Sequence, residues 1–472
     1  MKAVACARSN YRVVAIVAVL LASVTGILWA HVALLRSEPA KDARLAAPPT
    51  RLHLVFSEAV EPSTSRIELV SPLDERFTLR PARPASDSVQ HLEAAVPALS
   101  VGGTYRVEWR LIGADGHPVT GSYSFAIDSI TPPPAPDTVP AIPAPSIDRN
   151  DPTAGSTDAA APLAVIVRFI GLLAMIIVMG SAALALVVLP RTVTSPGGPG
   201  DVSTPGVHAE LAALVRAAAW TLLGVSAVRL VMQSRALAGS LGEVTLGDLS
   251  AVMGSGRWGT GWTLQVIGTV ILLVALRGGP HTVAARPRRW RVIGVIAALL
   301  ALGASAMGHP AAVPEAPLVA MGLDALHALG AGGWVGALVG MTFVVLPGAI
   351  SRPEALRADA VRRALRAFTP VALVAAALLA VTGFIGGWWQ LRGDLMALVE
   401  TTYGRLLIAK VSAVLVVALL GAYHWRVVQP AAGDERSLVR LRRSVRGELL
   451  VMMIVILFTA VLTGTAPAGR LP

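Results

Sequence analysis

The sequence has few charged residues and few aromatic ones. Charged residues make up 15 % of its 472 positions and aromatic residues 5 %, whereas 54 % are apolar. About a quarter of a typical soluble globular protein is charged, so this composition excludes an ordinary soluble protein. Several apolar runs reach the roughly 18 residues that cross a bilayer. We therefore predict that most of the chain lies in a membrane.

The sequence has a single cysteine, Cys6. Basic residues around it precede an apolar run that ends at Ala30, a small residue suited to cleavage, and this pattern predicts a secretory signal peptide over residues 1–30. The mature chain would begin at His31 and contain no thiol. Disulfides, thiolate metal sites and cysteine nucleophiles are then excluded.

The formal net charge of +11 does not indicate a nucleic-acid partner, because the arginines occupy short connectors between apolar runs. The basic connectors are near 277–291, 352–366 and 426–446, and the connectors between them are poor in basic residues. By the positive-inside rule the basic connectors are cytoplasmic. We therefore expect a multi-pass plasma-membrane protein with residues 31–160 and the C-terminus outside the cytoplasm.

Residues 31–128 contain no long apolar run and predict a separate extramembrane domain. Apolar and polar residues alternate over 51–56, 105–111 and 121–127, which is typical of half-buried strands. We predict a small all-β sandwich or barrel. The proline-rich stretch 129–160 predicts a linker that tethers this domain loosely to the rest of the chain.

Asp115 and His117 flank Gly116 between the last two predicted strands. A simple turn with solvated side chains is one interpretation, because Asp-Gly favours tight hairpins. A metal site is the other, because His31 would offer its α-amine and imidazole at the mature terminus. Nitrogen and oxygen donors without sulfur suit Cu(II) best among first-row divalent ions.

The region 161–472 predicts an all-α polytopic membrane domain of eight transmembrane helices. We expect them near 163–189, 211–233, 260–277, 290–308, 317–346, 368–390, 404–425 and 447–466. The string VVLP at 187–190 recurs at 344–347. This recurrence suggests a tandem four-helix repeat with both halves in the same orientation.

Ionisable residues within membrane helices are costly and usually functional. Met321, Asp324 and His327 are spaced by three in the fifth predicted helix, and Met307 and His309 end the fourth. Lys410 lies in the seventh predicted helix. Thioether and imidazole donors suit copper, so Met307, Met321, His309 and His327 are candidate ligands of a membrane path, although hydrogen bonding or packing would also explain them.

The segments LVFSEAV at 54–60 and GGTYRVEWRLIGADGHPVTGSYSFAI at 102–127 resemble the CopC family of exported copper-binding β-barrels. This resemblance implies that His31, Asp115 and His117 bind Cu(II). The family's methionine-rich Cu(I) motif has no counterpart here, and His53 and His91 lie outside the binding motif.

The segments 324–338, 401–424 and 446–450 resemble the CopD family of copper membrane proteins, with His327 on a matched position. Together the two resemblances imply a non-enzymatic copper-uptake or resistance protein. It would bind copper and the lipid bilayer, with an exported copper chaperone or a reductase as a candidate further partner.

Two alternatives stay open at this point. One is a non-transporting copper chaperone or sensor for cuproenzyme assembly. The other is a haem-binding redox protein in which His327 pairs with His309 or His424. No P-loop motif is present, so any transport would be passive or ion-coupled.

Overall fold

The computed structural model describes residues 34–56, 60–82, 90–113, 118–128, 162–193, 201–254, 256–277, 287–313, 316–391, 393–423, 426 and 435–465. The first part of it is a β domain. Its strands are β1 Leu34–Glu38, β2 Arg44–Leu45, β3 Arg51–Phe56, β4 Val60–Val70, β5 Arg76–Leu79, β6 Pro81–Ala82, β7 His91–Ala95, β8 Gly103–Gly113 and β9 Pro118–Ile127.

The strands form two sheets, one with the order β1-β3-β7-β6 and the other with the order β2-β9-β8-β4-β5. Period-two alternation creates the core between them, because every second side chain of a strand points to the same face. In β3, Leu52, Leu54 and Phe56 are fully buried, and in β8 Tyr105 and Val107 are buried with them. The predicted all-β domain is confirmed.

The described residues from 162 onward are mainly helical and include eight long helices. They are α1 Pro162–Thr192, α2 Pro205–Ala238, α3 Gly256–Ala275, α4 Pro287–Ala306, α5 Pro317–Ile350, α6 Glu354–Gln390, α7 Thr402–Tyr423 and α8 Glu435–Leu462. Within the described residues, α1 to α7 are long and apolar enough to cross a membrane, and the apolar part of α8, Gly447–Leu462, is shorter. Membrane-length helices follow the β domain as predicted, although only seven of the eight expected crossings meet this length.

Helix α1 contains one described π-helical turn, Leu184–Val188, and α5 contains two, Gly332–Gly336 and Met341–Val345. The turn that starts at Met341 begins 157 residues after the one in α1, which is also the spacing of the repeated VVLP string. Since π-helical turns are rare, their recurrence at this spacing supports the interpretation of a tandem repeat.

The helices α1 and α5 also cross in direct backbone contact. A Cβ added at Gly180 would overlap the backbone of Gly336, and one added at Gly336 would overlap the carbonyl of Ile176. Small residues permit such close approach between membrane helices, where van der Waals packing replaces the hydrophobic effect. The helices α1 and α5 therefore meet at a pair of glycines.

The β domain packs against the helical domain. Arg110 Nη1 of β8 donates a hydrogen bond to the carbonyl oxygen of Ala238, the last residue of α2, at 2.9 Å. Gly239 follows at φ 102°, a left-handed conformation that suits glycine and ends the helix. A Cβ at Gly239 would overlap the Arg110 guanidinium, so glycine there leaves room for the contact.

Candidate functional site

One end of the β sandwich collects the ends of several strands. Leu34, at the start of β1, pairs with Phe56, at the end of β3. Val60, at the start of β4, pairs with Gly113, at the end of β8. The three residues 57–59 join these two pairs, so all four strand ends lie at the same end of the sandwich.

The predicted copper ligands His31, Asp115 and His117 lie outside the described residues. Their neighbours are described, however. His31 precedes Leu34 by three positions, and residues 114–117 join Gly113 to the next strand. The chain segments that carry the three ligands therefore depart from the same end of the sandwich, although the assignment of the ligands stays a prediction.

The same end of β8 contacts the helical domain. Ile112 packs in a buried apolar cluster with Leu237, Val252, Trp258 and Met307. We call these five residues the docking cluster. The docking cluster therefore joins the end of β8, which leads into residues 114–117, to Met307 just after the end of α4.

Met307 also lines a large cavity within the helical domain, of about 1400 Å³. The predicted polar residues of the membrane helices His309, Asp324, His327 and Lys410 line the same cavity. Two members of the docking cluster, Trp258 and Met307, thus line a cavity that also contains two of the predicted imidazole donors. The structure brings these residues together around one cavity, and their role as copper ligands stays a prediction.

Met321 differs from this expectation, because it does not line the described part of the cavity. Each step of three residues turns a helix by about 300°, so residues spaced by three drift by about 60° at each step. From His327 back to Met321 there are two such steps, which amount to about 120° around the helix axis. This rotation is large enough to turn Met321 away from the cavity.

The imidazole of His327 is oriented by a hydroxyl group on α6. Its Nδ1 lies 2.9 Å from Thr382 Oγ1, and that hydroxyl lies 2.6 Å from the carbonyl oxygen of Leu378. A carbonyl only accepts, so the single hydroxyl proton of Thr382 is donated to Leu378. His327 Nδ1 must then be the donor to Thr382, which places the lone pair of the neutral ring on Nε2. An imidazole held in this way is prepared to bind a metal through Nε2.

His309 is buried in the short turn between α4 and α5, at the N-terminal end of α5. Its Nε2 lies 3.0 Å from the carbonyl oxygen of Thr465, which follows α8. Because the carbonyl only accepts, Nε2 carries the proton. The hydrogen bond ties the short turn after α4 to the end of the last helix.

Asp324 is the carboxylate of the cavity. Ser305 Oγ of α4 donates a hydrogen bond to Asp324 Oδ2 at 2.7 Å. Lys410, His309 and Tyr403 of α7 all lie near enough to this carboxylate for electrostatic interaction. The cavity therefore contains a polar cluster made by three helices and one turn.

Sequence reasoning missed Thr382, Ser305 and Tyr403. Thr382 and Ser305 are single hydroxyl residues in apolar helices, where polar side chains often bond neighbouring helices, so their presence was a weak signal. The predicted haem alternative required His309 or His424 opposite His327. His424 lies outside the described residues. Among the described residues, no three His, Cys, Asp or Glu side chains are grouped closely enough to hold a metal on their own.

Three family models match successive parts of the chain. The CopC domain matches residues 34–128, the N-terminal domain of copper resistance protein D-like proteins matches 157–316, and copper resistance protein D matches 362–462. The first match coincides with the β domain. The other two fall on the helical domain.

One known relative matches nearly the whole chain, and others match about a quarter of it. The copper transport protein CutJ of Bacillus subtilis is 23 % identical over 92 % of this chain and 74 % of its own length. Copper resistance protein C of Xanthomonas campestris pv. juglandis is 36 % identical over 25 % of this chain and 96 % of its own length. The crystal structure of CopC from Methylosinus trichosporium OB3b has 30 % identity over 22 % of this chain and 98 % of its own, with a TM-score of 0.20. A CopC domain followed by CopD domains in one chain means that this protein belongs to the CopC–CopD family of copper resistance and transport proteins.

Proposed function

We propose that this protein takes copper into the cell. The β domain captures Cu(II) outside the membrane through His31, Asp115 and His117. It passes the copper to Met307 and His309 at the mouth of the helical cavity, and His327 receives it deeper inside. The docking cluster is the observation that carries this proposal, because it joins Met307 to the end of β8 that precedes the predicted ligands Asp115 and His117.

The donor atoms along this path change from hard nitrogen and oxygen at the predicted capture site to soft sulfur in the helical domain. The predicted capture site offers nitrogen and oxygen, which suit Cu(II), whereas the mouth offers the thioether of Met307, which suits Cu(I). Among the described residues, the cavity is lined by the basic side chains of Arg168, Arg229, Arg235 and Lys410 and by one carboxylate, that of Asp324. Such a lining opposes a cation, and it opposes a single charge less than a double one.

We therefore propose that copper crosses as Cu(I), held by neutral methionine and histidine donors. The reduction of Cu(II) to Cu(I) takes one electron, which an external reductase partner supplies. Asp324 balances part of the charge of the passing ion. Cytoplasmic copper buffering maintains the gradient, since the sequence has no ATP-hydrolysing motif.

The orientation follows from the distribution of arginine. Residues 352–366, which follow α5 and include the first turns of α6, are arginine-rich, whereas residues 309–316, between α4 and α5, contain no basic residue other than His309. By the positive-inside rule, the connector between α4 and α5 faces outward. The cavity mouth and the docked β domain would then lie outside the cytoplasm.

The direct test is the copper content of cells at fixed low external copper, with and without this protein. Uptake predicts more intracellular copper when the protein is present. Equal content would indicate a chaperone or a sensor, and lower content would indicate export or external sequestration. A haem protein would instead purify with a Soret band.

Replacing Asp115 or His117 by alanine is expected to weaken Cu(II) binding by the full-length protein by at least about 10-fold, because each substitution removes a predicted ligand. Titration followed by electron paramagnetic resonance measures this. His281→Ala, which removes a histidine from a predicted cytoplasmic connector, is the matched control. An unchanged number of bound Cu(II) ions with an unchanged spectrum in both ligand variants would refute the predicted capture site.

Replacing Ile112 by aspartate is expected to lower copper uptake several-fold while leaving Cu(II) binding unchanged. The new carboxylate would be buried among apolar side chains of the docking cluster, which disfavours the docked arrangement. Leu73→Asp is the control, because Leu73 is 71 % exposed in the turn after β4, at the other end of the sandwich. Equal uptake by the two variants would mean that docking has no part in transfer.

A further inference from the structure

His53 and His91 form a close pair on the sheet that does not carry the docking cluster. Their strands, β3 and β7, are neighbours in the four-stranded sheet. His53 Nε2 lies 3.2 Å from His91 Nδ1, and the ring centroids are 5.0 Å apart. A hydrogen bond between the two ring nitrogen atoms explains this distance. A metal ion bound by both nitrogen atoms would explain it as well.

The distance matches the geometry of two imidazoles on one metal ion. Metal–nitrogen bonds of about 2.0–2.1 Å, at angles between square-planar and tetrahedral, separate two nitrogen atoms by about 2.9–3.4 Å. The separation of 3.2 Å falls within this range. A small rotation of each ring would direct both lone pairs toward an ion placed between them.

Two carboxylates flank the pair on the same face of the sheet. His53 pairs in register with Glu38 of β1 on one side and with Glu93 of β7 on the other. Opposite residues in antiparallel strands project to the same face, with Cβ atoms about 4.5–5.5 Å apart. Both carboxylates are held by arginines through Oε1, Glu93 by Arg51 at 2.7 Å and Glu38 by Arg36 at 2.8 Å.

We infer that His53 and His91, flanked by Glu38 and Glu93, form a second Cu(II) site on the β domain. Two imidazoles with water oxygens complete a tetragonal N,O donor set, because no third His, Cys, Asp or Glu among the described residues is grouped with the pair. Cu(II) fills such a set more strongly than other first-row divalent ions do. The main contacts with the helical domain come from β4, β8 and β9 of the other sheet. The second site therefore lies on the sheet that does not make these contacts, where it would hold copper as a reserve.

The test removes the capture site first, so that the result does not depend on the proposed function. Full-length His117→Ala protein is titrated with Cu(II) alone, and the bound ion is counted and examined by electron paramagnetic resonance. The same measurement is made with His53→Gln and His91→Gln added. His281→Gln added to His117→Ala is the matched control for loss of a histidine.

We expect the His117→Ala protein and its His281→Gln control to keep one tightly bound Cu(II) with nitrogen hyperfine coupling from two imidazoles. The added His53→Gln and His91→Gln substitutions should remove that equivalent and its spectrum. Retention of the same spectrum, or absence of any bound Cu(II) in His117→Ala protein, would overturn the inference. In the presence of His117, the double variant should still show the capture-site signal, which reports that the β domain is folded.

Discussion

Replacing His327 by alanine is expected to reduce copper accumulation to that of cells lacking the protein. His327 is the imidazole that Thr382 orients, with its lone pair on Nε2. Other donors line the cavity, but Met307 and His309 lie at its mouth, and the positive lining leaves a copper ion poorly stabilised without a deep neutral ligand. The measurement is intracellular copper at fixed low external copper, with membrane levels of the variant matched to the original protein.

Substitutions at Thr382 test whether the orientation of the His327 imidazole matters, while His327 itself stays in place as a copper ligand. Thr382→Val keeps the shape of the side chain but removes the hydroxyl, and loss of such a partner typically costs about 10–100-fold in metal affinity or activity. Thr382→Ser keeps the hydroxyl and should restore uptake. Cu(II) binding by the β domain should be unchanged in all three variants. Normal accumulation by His327→Ala would remove this histidine from the copper path.

Replacing Gly336 by alanine is expected to destabilise the helical domain by about 3 kcal/mol or more. The added methyl group would overlap the carbonyl of Ile176 across the contact between α1 and α5. Overpacking costs about 1–3 kcal/mol where side chains can shift, and here the obstacle is backbone. Thermal unfolding in detergent measures the effect.

Gly322→Ala is the matched control in the same helix, because a Cβ at Gly322 has no described atom within 4 Å. Alanine is favoured over glycine inside a helix by about 1 kcal/mol, so the control should be unchanged or slightly more stable. If the two variants unfolded at the same temperature, the glycine contact would not determine stability. Gly180→Ala should behave as Gly336→Ala does, since it lies on the other side of the contact.

Local patterns predicted the elements well. The alternation in 51–56 gave a strand whose apolar residues are all buried, and each long apolar run after residue 160 gave a helix. Boundaries were less accurate. The second predicted helix, 211–233, extends from Thr204, whose hydroxyl accepts from the amide of Val207, to the glycine cap at 239. Caps depend on single residues, which hydropathy does not register.

The candidate site was predictable in its residue types and not in its supporting contacts. Ionisable side chains are rare in apolar helices, so the sequence alone identified His327 and Asp324 as candidate functional residues. The hydrogen bonds from Thr382 and Ser305 join helices that are distant in sequence, and no spacing rule reveals such pairs. The contact between Ile112 and Met307 is of the same kind. The proline-rich linker predicted a loosely tethered domain, whereas the structure places that domain against the helices.

A docked domain on a long tether needs only a weak contact. The proline-rich linker predicted over residues 129–160 would keep the β domain near its own helices, and flexible linkers in general produce local concentrations of up to about a millimolar. At that concentration an interface with a dissociation constant near 1 mM, about 4 kcal/mol, is occupied half of the time. The contacts of Arg110 and Ile112 with the helical domain need be no stronger than this. On the proposed function, a released form of the domain would collect copper and the docked form would deliver it, at a ratio set by the length of the linker.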